Sequence, residues 1–128
     1  MEILLLEQYL LEVNIARINK TIKLTIDMES TIHSVERLSR HIDSRGMGDV
    51  IEESEIVELL ELAIDDITKM LIFNEVDIND TIIVTDKVNE LNVAVVISGT
   101  KPNLKLVVRT TMRKKGFKPN VGQKQLFY

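Results

Sequence analysis

The chain lacks cysteine altogether, which excludes disulfides, thiolate metal sites and thiolate nucleophiles. A cysteine-free chain fits a reducing cytosol. Histidine is nearly as scarce. His33 and His41 are the only two, and neither forms an H-E-x-x-H metal pair. The five glycines make neither a Walker loop nor a dinucleotide-binding fingerprint. No serine stands in a G-x-S-x-G context, so nothing supports a serine triad. Long apolar runs are missing too. The N-terminal stretch MEILLLEQYLLEV is interrupted by Glu7 and Glu12 and has no basic lead-in. It therefore reads as neither a secretory signal nor a membrane span, and a cytoplasmic protein that meets no membrane is the expectation.

What is present is a soluble globular composition, 45% apolar and 28% charged. The length predicts one domain over residues 1–128 with a core of its own. The net charge of −4 hides two unlike halves. Residues 1–86 hold 7 Lys/Arg against 19 Asp/Glu, a balance of −12. Residues 87–128 hold 9 Lys/Arg against one acid, Glu90, a balance of +8. An acidic chain is a poor non-specific nucleic-acid binder, but a local basic surface is a good one. The basic end either meets phosphates or neutralises the acidic half within the fold.

Three parts follow one another. In residues 1–29, the spacing of Ile3, Leu4, Leu6, Leu10, Leu11 and Ile15 favours an amphipathic helix over 2–18, while the density of Ile and Leu keeps a strand in play at the very start. A strand follows at Thr21–Glu29, where Ile22, Leu24, Ile26 and Met28 alternate with polar residues. Residues 30–73 read as helical: a helix over Thr31–Arg45 capped by Ser30 or Thr31, a glycine-bearing loop, then a longer helix capped by Ser54. Ile56, Leu59, Leu60, Ala63, Ile64, Ile67 and Leu71 form the apolar stripe of that second helix, while Glu58, Glu61, Asp65 and Asp66 face water. Residues 81–128 change to a strand period: Thr81–Thr85, Leu91–Ser98 and Leu104–Met112, a basic tail, and a last edge strand within Gln123–Tyr128. The predicted class is α+β, with N-terminal helices packed on a C-terminal antiparallel sheet.

The stretch Thr31–Arg45 carries the sharpest chemistry. On a helix, His33 and Arg37 lie one turn apart and Arg40 lies near the next turn. An imidazole takes and returns a proton near neutral pH. A guanidinium offers paired donors to a phosphate and stabilises charge growing on it. Two cations close by favour the neutral imidazole, hence a base at rest. The plain alternative is a solvated helix on which Glu36 pairs with Arg40. His41 reads as a helix-ending cation rather than a catalytic group.

The order of parts, with H-x3-R-x2-R (His33, Arg37, Arg40), a following acidic helix and a strand ending VVRTTM, resembles the small ribonucleases of the RelE/ParE toxin and RegB type. More broadly it is similar to the barnase–EndoU–colicin–RelE group, phage and prophage proteins included. The resemblance spans about residues 30–118. It implies a RelE-like fold and metal-independent RNA cleavage, in which the ribose 2′-hydroxyl attacks the adjacent phosphate and leaves a cyclic phosphate. It implies His33 as general base or acid and Arg37 on the phosphate, with Arg40 and the strand residues Arg109 and Thr111 beside them. The chain departs from the pattern in being acidic overall and in its loop 42–53.

Arg109, Arg113, Lys114, Lys115 and Lys118, with Phe117 among them, are the nucleic-acid candidates. Lysine and arginine neutralise phosphates, and Phe117 is placed to stack on a base of single-stranded RNA. Their alternative role is a solvated strand end facing the acidic helix, with Phe117 in the core. The acids from Glu52 to Asp66 match no EF-hand loop, so no metal and no cofactor is implied. The rival reading is a non-catalytic phage-type factor that binds and inhibits a host protein, or meets an antitoxin, through the acidic helix face. Oligomeric state is not legible.

Overall fold

The computed structural model describes residues 3–15, 19–31 and 51–128. Its elements in chain order are β1 (Ile3–Ile15), β2 (Lys20–Thr31), α1 (Glu53–Ile72), β3 (Thr81–Asp86), β4 (Leu91–Thr100), β5 (Asn103–Arg113) and β6 (Lys124–Phe127). Among the described residues this is an α+β fold with one helix and a six-stranded mixed sheet, ordered β1-β2-β5-β4-β3-β6.

α1 forms where the apolar spacing predicts it. Ile56, Leu59, Leu60, Ala63, Ile64, Ile67 and Leu71 are all buried. Thr68 joins them, its hydroxyl satisfied by the Ile64 carbonyl at 2.7 Å. The start differs from expectation: Glu52 is the N-cap, no side chain caps it, and Ser54 lies inside the first turn. Glu53 and Glu55 in that turn and Lys69 in the last one complement the helix dipole.

β3, β4 and β5 form the predicted antiparallel meander. Register puts Ile82 and Val84 beside Val95 and Val93, and Val95 and Ile97 beside Val108 and Leu106. These side chains, with Ile26 and Met28 of β2, are buried against α1 and make the core. We call this side the helix face and the other the outer face.

Three expectations are corrected. Residues 3–15 form a strand rather than an N-terminal helix, paired antiparallel with β2 from Ile3–Thr31 to Ile15–Lys20. Tyr9, Leu11 and Val13 are half-buried while Gln8, Leu10, Glu12 and Asn14 are exposed, which is the period of a strand. Leu10, 81% exposed, supplied the misleading helical spacing. Second, the sheet is mixed rather than antiparallel, because β2 runs parallel to β5 and β6 parallel to β3. Third, Ser30 and Thr31 are strand residues at the end of β2 rather than caps.

The edges of the sheet close on the helix. From β1, Tyr9 Oη donates to Glu61 Oε1 at 2.9 Å; beyond β6, Tyr128 Oη donates to Asp66 Oδ2. Five inter-strand steps of about 4.8 Å would make a flat sheet about 24 Å wide. One helix only about 10–12 Å across could not meet both edges of such a sheet, so the sheet curls around α1. Burial raises both phenols above their ordinary value of 10.0, and the hydrogen bond and charge of Glu61 or Asp66 push the same way. Above pH ~10 the unfolded chain releases these protons while the folded chain keeps them, so stability falls as pH rises. Denaturant unfolding at about pH 8 and about pH 10.5 is expected to show a smaller loss in Tyr9→Phe/Tyr128→Phe than in wild type. Equal losses would remove the two tyrosines from this account.

Candidate nucleic-acid interface

Residues 32–50 lie outside the described residues, and with them His33, Arg37, Arg40 and His41 and nearly all of the expected helix over Thr31–Arg45. The described chain on either side is anchored near the second half of β5. β2 pairs with β5 only as far as Ser30–Val108, and Glu55 in the first turn of α1 holds Arg113.

β5 carries a bulge that decides where its residues go. Val108 pairs with Val95 and Thr110 with Ala94, so Arg109 is one residue too many. An inserted residue shifts the alternation, so every side chain beyond it changes face. Thr111 therefore pairs with Val93 and is fully buried on the helix face, where its Oγ1 has no hydrogen-bond partner among the described residues. The expectation of Thr111 at the sheet surface beside Arg109 followed unbroken alternation, and the bulge overturns it. Arg109 itself is exposed.

Arg113 follows Thr111 to the helix side. Its Nη2 meets Glu55 Oε2 at 2.7 Å and its Nη1 donates to the Asn89 carbonyl at 2.9 Å. With the side chain only 16% exposed, this guanidinium pins the start of α1 to the β3–β4 turn. Four of the candidate nucleic-acid residues remain at the surface besides Phe117: Arg109, Lys114, Lys115 and Lys118 are exposed.

On the outer face, the segment after β5 folds back over the sheet. Phe117 is half-buried and shares a small recess with Ile83, Asn92, Ala94, Thr110 and Met112. A buried polar network ties it down. Thr85 Oγ1 donates to Asn92 Oδ1 at 2.8 Å. Asn92 Nδ2 faces the carbonyls of Lys114 at 2.9 Å and of Glu90 and Met112 at 3.3 Å each. Gln125 Nε2 lies 3.0 Å from Thr85 Oγ1 and 3.2 Å from the Phe117 carbonyl. The backbone adds Lys114 N–H to the Glu90 carbonyl and Lys87 N–H to the Tyr128 carbonyl, each at 2.9 Å.

Beside this network opens a cleft of about 160 Å³, lined by residues that include Lys87, Lys114, Lys115, Phe117, Gln125 and Phe127. None of the three lysines makes an ion pair among the described residues. Asp86 and Glu90 are the acids in its wall. Burial pushes the Asp86 carboxyl up, but donors from Asn89 and Val88 and the Arg113 charge outweigh it and leave the group below its ordinary 3.8. Its oxygens are held by the Val88 and Asn89 N–H groups and by Asn89 Nδ2, so it serves the turn rather than the lysines.

Comparison of the chain with protein-family models, with curated proteins and with solved structures finds no match. The geometry of the described residues therefore carries the reading of this face. It brings Lys114, Lys115 and Phe117 together, sends Arg113 and Thr111 to the other face, and leaves Arg109 and Lys118 off the cleft wall. Sequence reasoning missed Lys87 and Phe127. The alternation in Lys124–Phe127 was the available signal, since it opposes Gln125 and Phe127 to Leu126 and Tyr128. Among the described residues no group of three or more His, Asp or Glu converges to hold a metal ion, and no helix is long and apolar enough to cross a membrane. Of Glu58, Glu61, Asp65 and Asp66 on the helix, Glu61 and Asp66 accept the edge tyrosines, and Leu62 lies 62% exposed near them.

Proposed function

We propose that the chain is a metal-independent ribonuclease of RelE-like type that holds single-stranded RNA on the outer face of its sheet. The supporting observation is the cleft, where three lysines that make no ion pair among the described residues meet two phenylalanines. Single-stranded RNA presents a phosphate charge and an unstacked base within one nucleotide, and that pair asks for cations beside an aromatic surface. A duplex hides its base faces and asks for cations alone.

Cleavage is assigned to His33 as the proton-transfer group, Arg37 on the scissile phosphate and Arg40 as the second cation. The 2′-hydroxyl loses its proton to His33 and attacks the adjacent phosphorus; the P–O5′ bond breaks, the 5′-oxygen takes a proton from water, and the hydroxide left recovers the proton from His33. The products are a 2′,3′-cyclic phosphate and a free 5′-hydroxyl. Arg109, exposed on the bulge, is the strand cation of this reading. The described chain on either side supports it, since β2 pairs with β5 up to Ser30–Val108 and Glu55 of α1 holds Arg113. The rival, a host-protein binder acting through the acidic helix face, is weakened because Glu61 and Asp66 already serve Tyr9 and Tyr128.

The test is cleavage of end-labelled single-stranded RNA in EDTA by wild type, His33→Ala and Arg37→Ala. Wild type is expected to leave cyclic-phosphate ends, and both variants are expected to lose that activity. Cleavage that survives His33→Ala, or folded wild type that cuts no RNA, would overturn the assignment.

A further inference from the structure

We infer that the cleft of Lys87, Lys114, Lys115 and Phe127 is a one-nucleotide subsite, with Phe127 stacking on a base and the lysines holding the flanking phosphates. This rests on the RNA-binding reading above and adds to it a binding site distinct from the residues assigned to cleavage.

The two phenylalanines of the cleft are not equivalent. Phe117 is half-buried against Ile83, Ala94 and Met112 and serves as floor. Phe127 is 55% exposed at the end of β6, on the face opposite Tyr128. A ring that the fold does not bury is the one available to a ligand. Stacking on it is tolerant of base identity, because every base has a π-face.

The cations come from separate elements. Lys87 stands in the β3–β4 turn, and Lys114 and Lys115 follow β5. Asn92, Gln125 and Thr85 fix those elements to one another beneath the cleft. The loop is thus ordered before any ligand arrives, which removes part of the ordering cost of binding. The charge of the cleft wall is that of three lysines against Asp86 and Glu90, with the Asp86 carboxylate engaged by the N–H groups of its turn.

Size bounds what this place can take. A volume of about 160 Å³ is smaller than the range of roughly 300–1,000 Å³ for whole-ligand pockets, so the cleft takes one base or one phosphate of a strand that continues past it. Its contribution is uniform binding, which changes KM and leaves kcat alone.

The experiment measures binding of a fluorescent 2′-O-methyl oligoribonucleotide by anisotropy across a salt series. The methylated strand keeps bases and phosphates but lacks the attacking hydroxyl, so binding is read whether or not the protein cleaves. Phe127→Leu is expected to weaken binding by about 5- to 150-fold with the salt slope unchanged. The triple variant Lys87→Ala/Lys114→Ala/Lys115→Ala is expected to flatten the slope by about 2, at about 0.7 per phosphate contact. Unlabelled single-stranded DNA is expected to compete, and duplex RNA to compete poorly. If wild type binds and both variants match it in affinity and slope, the subsite is wrong while RNA binding stands. Wild type that does not bind the strand sinks both readings. Phe127→Leu binding as tightly as wild type removes the stacking role by itself.

Discussion

Gly99→Ala is expected to lower stability by about 2–5 kcal/mol, much of the margin of a small domain. Gly99 sits in β4 opposite Leu104, just before the Lys101–Pro102 turn into β5, with φ at +84°. An L-residue there meets its own carbonyl, a cost of about 1–2 kcal/mol. The added methyl would also lie 2.5 Å from the Asn103 carbonyl oxygen and 3.3 Å from the Leu104 Cα, both main-chain atoms of the partner strand. No rotamer relieves that clash, so β4 and β5 must separate where they begin to pair. Gly116 and Gly122 are the controls. Their φ angles are also positive, +68° and +89°, but a Cβ at either meets nothing within 4 Å. Alanine at those positions is expected to cost only the backbone share. Urea unfolding followed by circular dichroism separates the terms. A loss at Gly99 no larger than at Gly116 would mean that the strand pair yields without penalty.

The elements that were legible before the structure are those whose burial repeats at a fixed period. α1 shows seven apolar residues on one stripe, and β4 and β5 alternate over enough residues to be read as strands. β1 reads as a helix because its leucines satisfy the helical and the strand spacing together, and only pairing with β2 along its length decides between them. Parallel pairing of β2 with β5 and of β3 with β6 leaves no local mark, since the partners are far apart in the chain. The site was harder still. A single extra residue at Arg109 exchanges the faces of everything after it, which removed Thr111 and Arg113 from the surface. Lys114, Lys115 and Phe117 are placed by Asn92 and Gln125, polar residues whose carbonyl partners no spacing rule announces. His33, Arg37 and Arg40 lie outside the described residues, so their chemistry rests on sequence alone.

Asn92→Leu is expected to cost about 2–4 kcal/mol, on the basis of about three lost hydrogen bonds at roughly 0.5–1.5 kcal/mol each. Asn92 is 3% exposed, and leucine fits a similar volume, so the loss isolates the polar network rather than packing. Its two amide protons serve three carbonyls, those of Glu90, Met112 and Lys114, and its oxygen takes the Thr85 hydroxyl. Asn92→Asp separates the roles of the two ends. It keeps the acceptor for Thr85 but turns a charged oxygen toward the three carbonyls, which raises the folded pKa of the new carboxyl. A raised folded pKa gives stability that is fully present below the unfolded value near 3.9 and is lost as pH climbs through the folded value. The deficit of Asn92→Asp against wild type is therefore expected to shrink toward about pH 4 and widen at neutral pH, while that of Asn92→Leu stays flat. Both variants release the Lys114 carbonyl, so both are expected to bind the 2′-O-methyl strand more weakly than wild type even where they remain folded. A folded Asn92→Leu that binds the strand as wild type does would show that the network holds the sheet and nothing of the cleft.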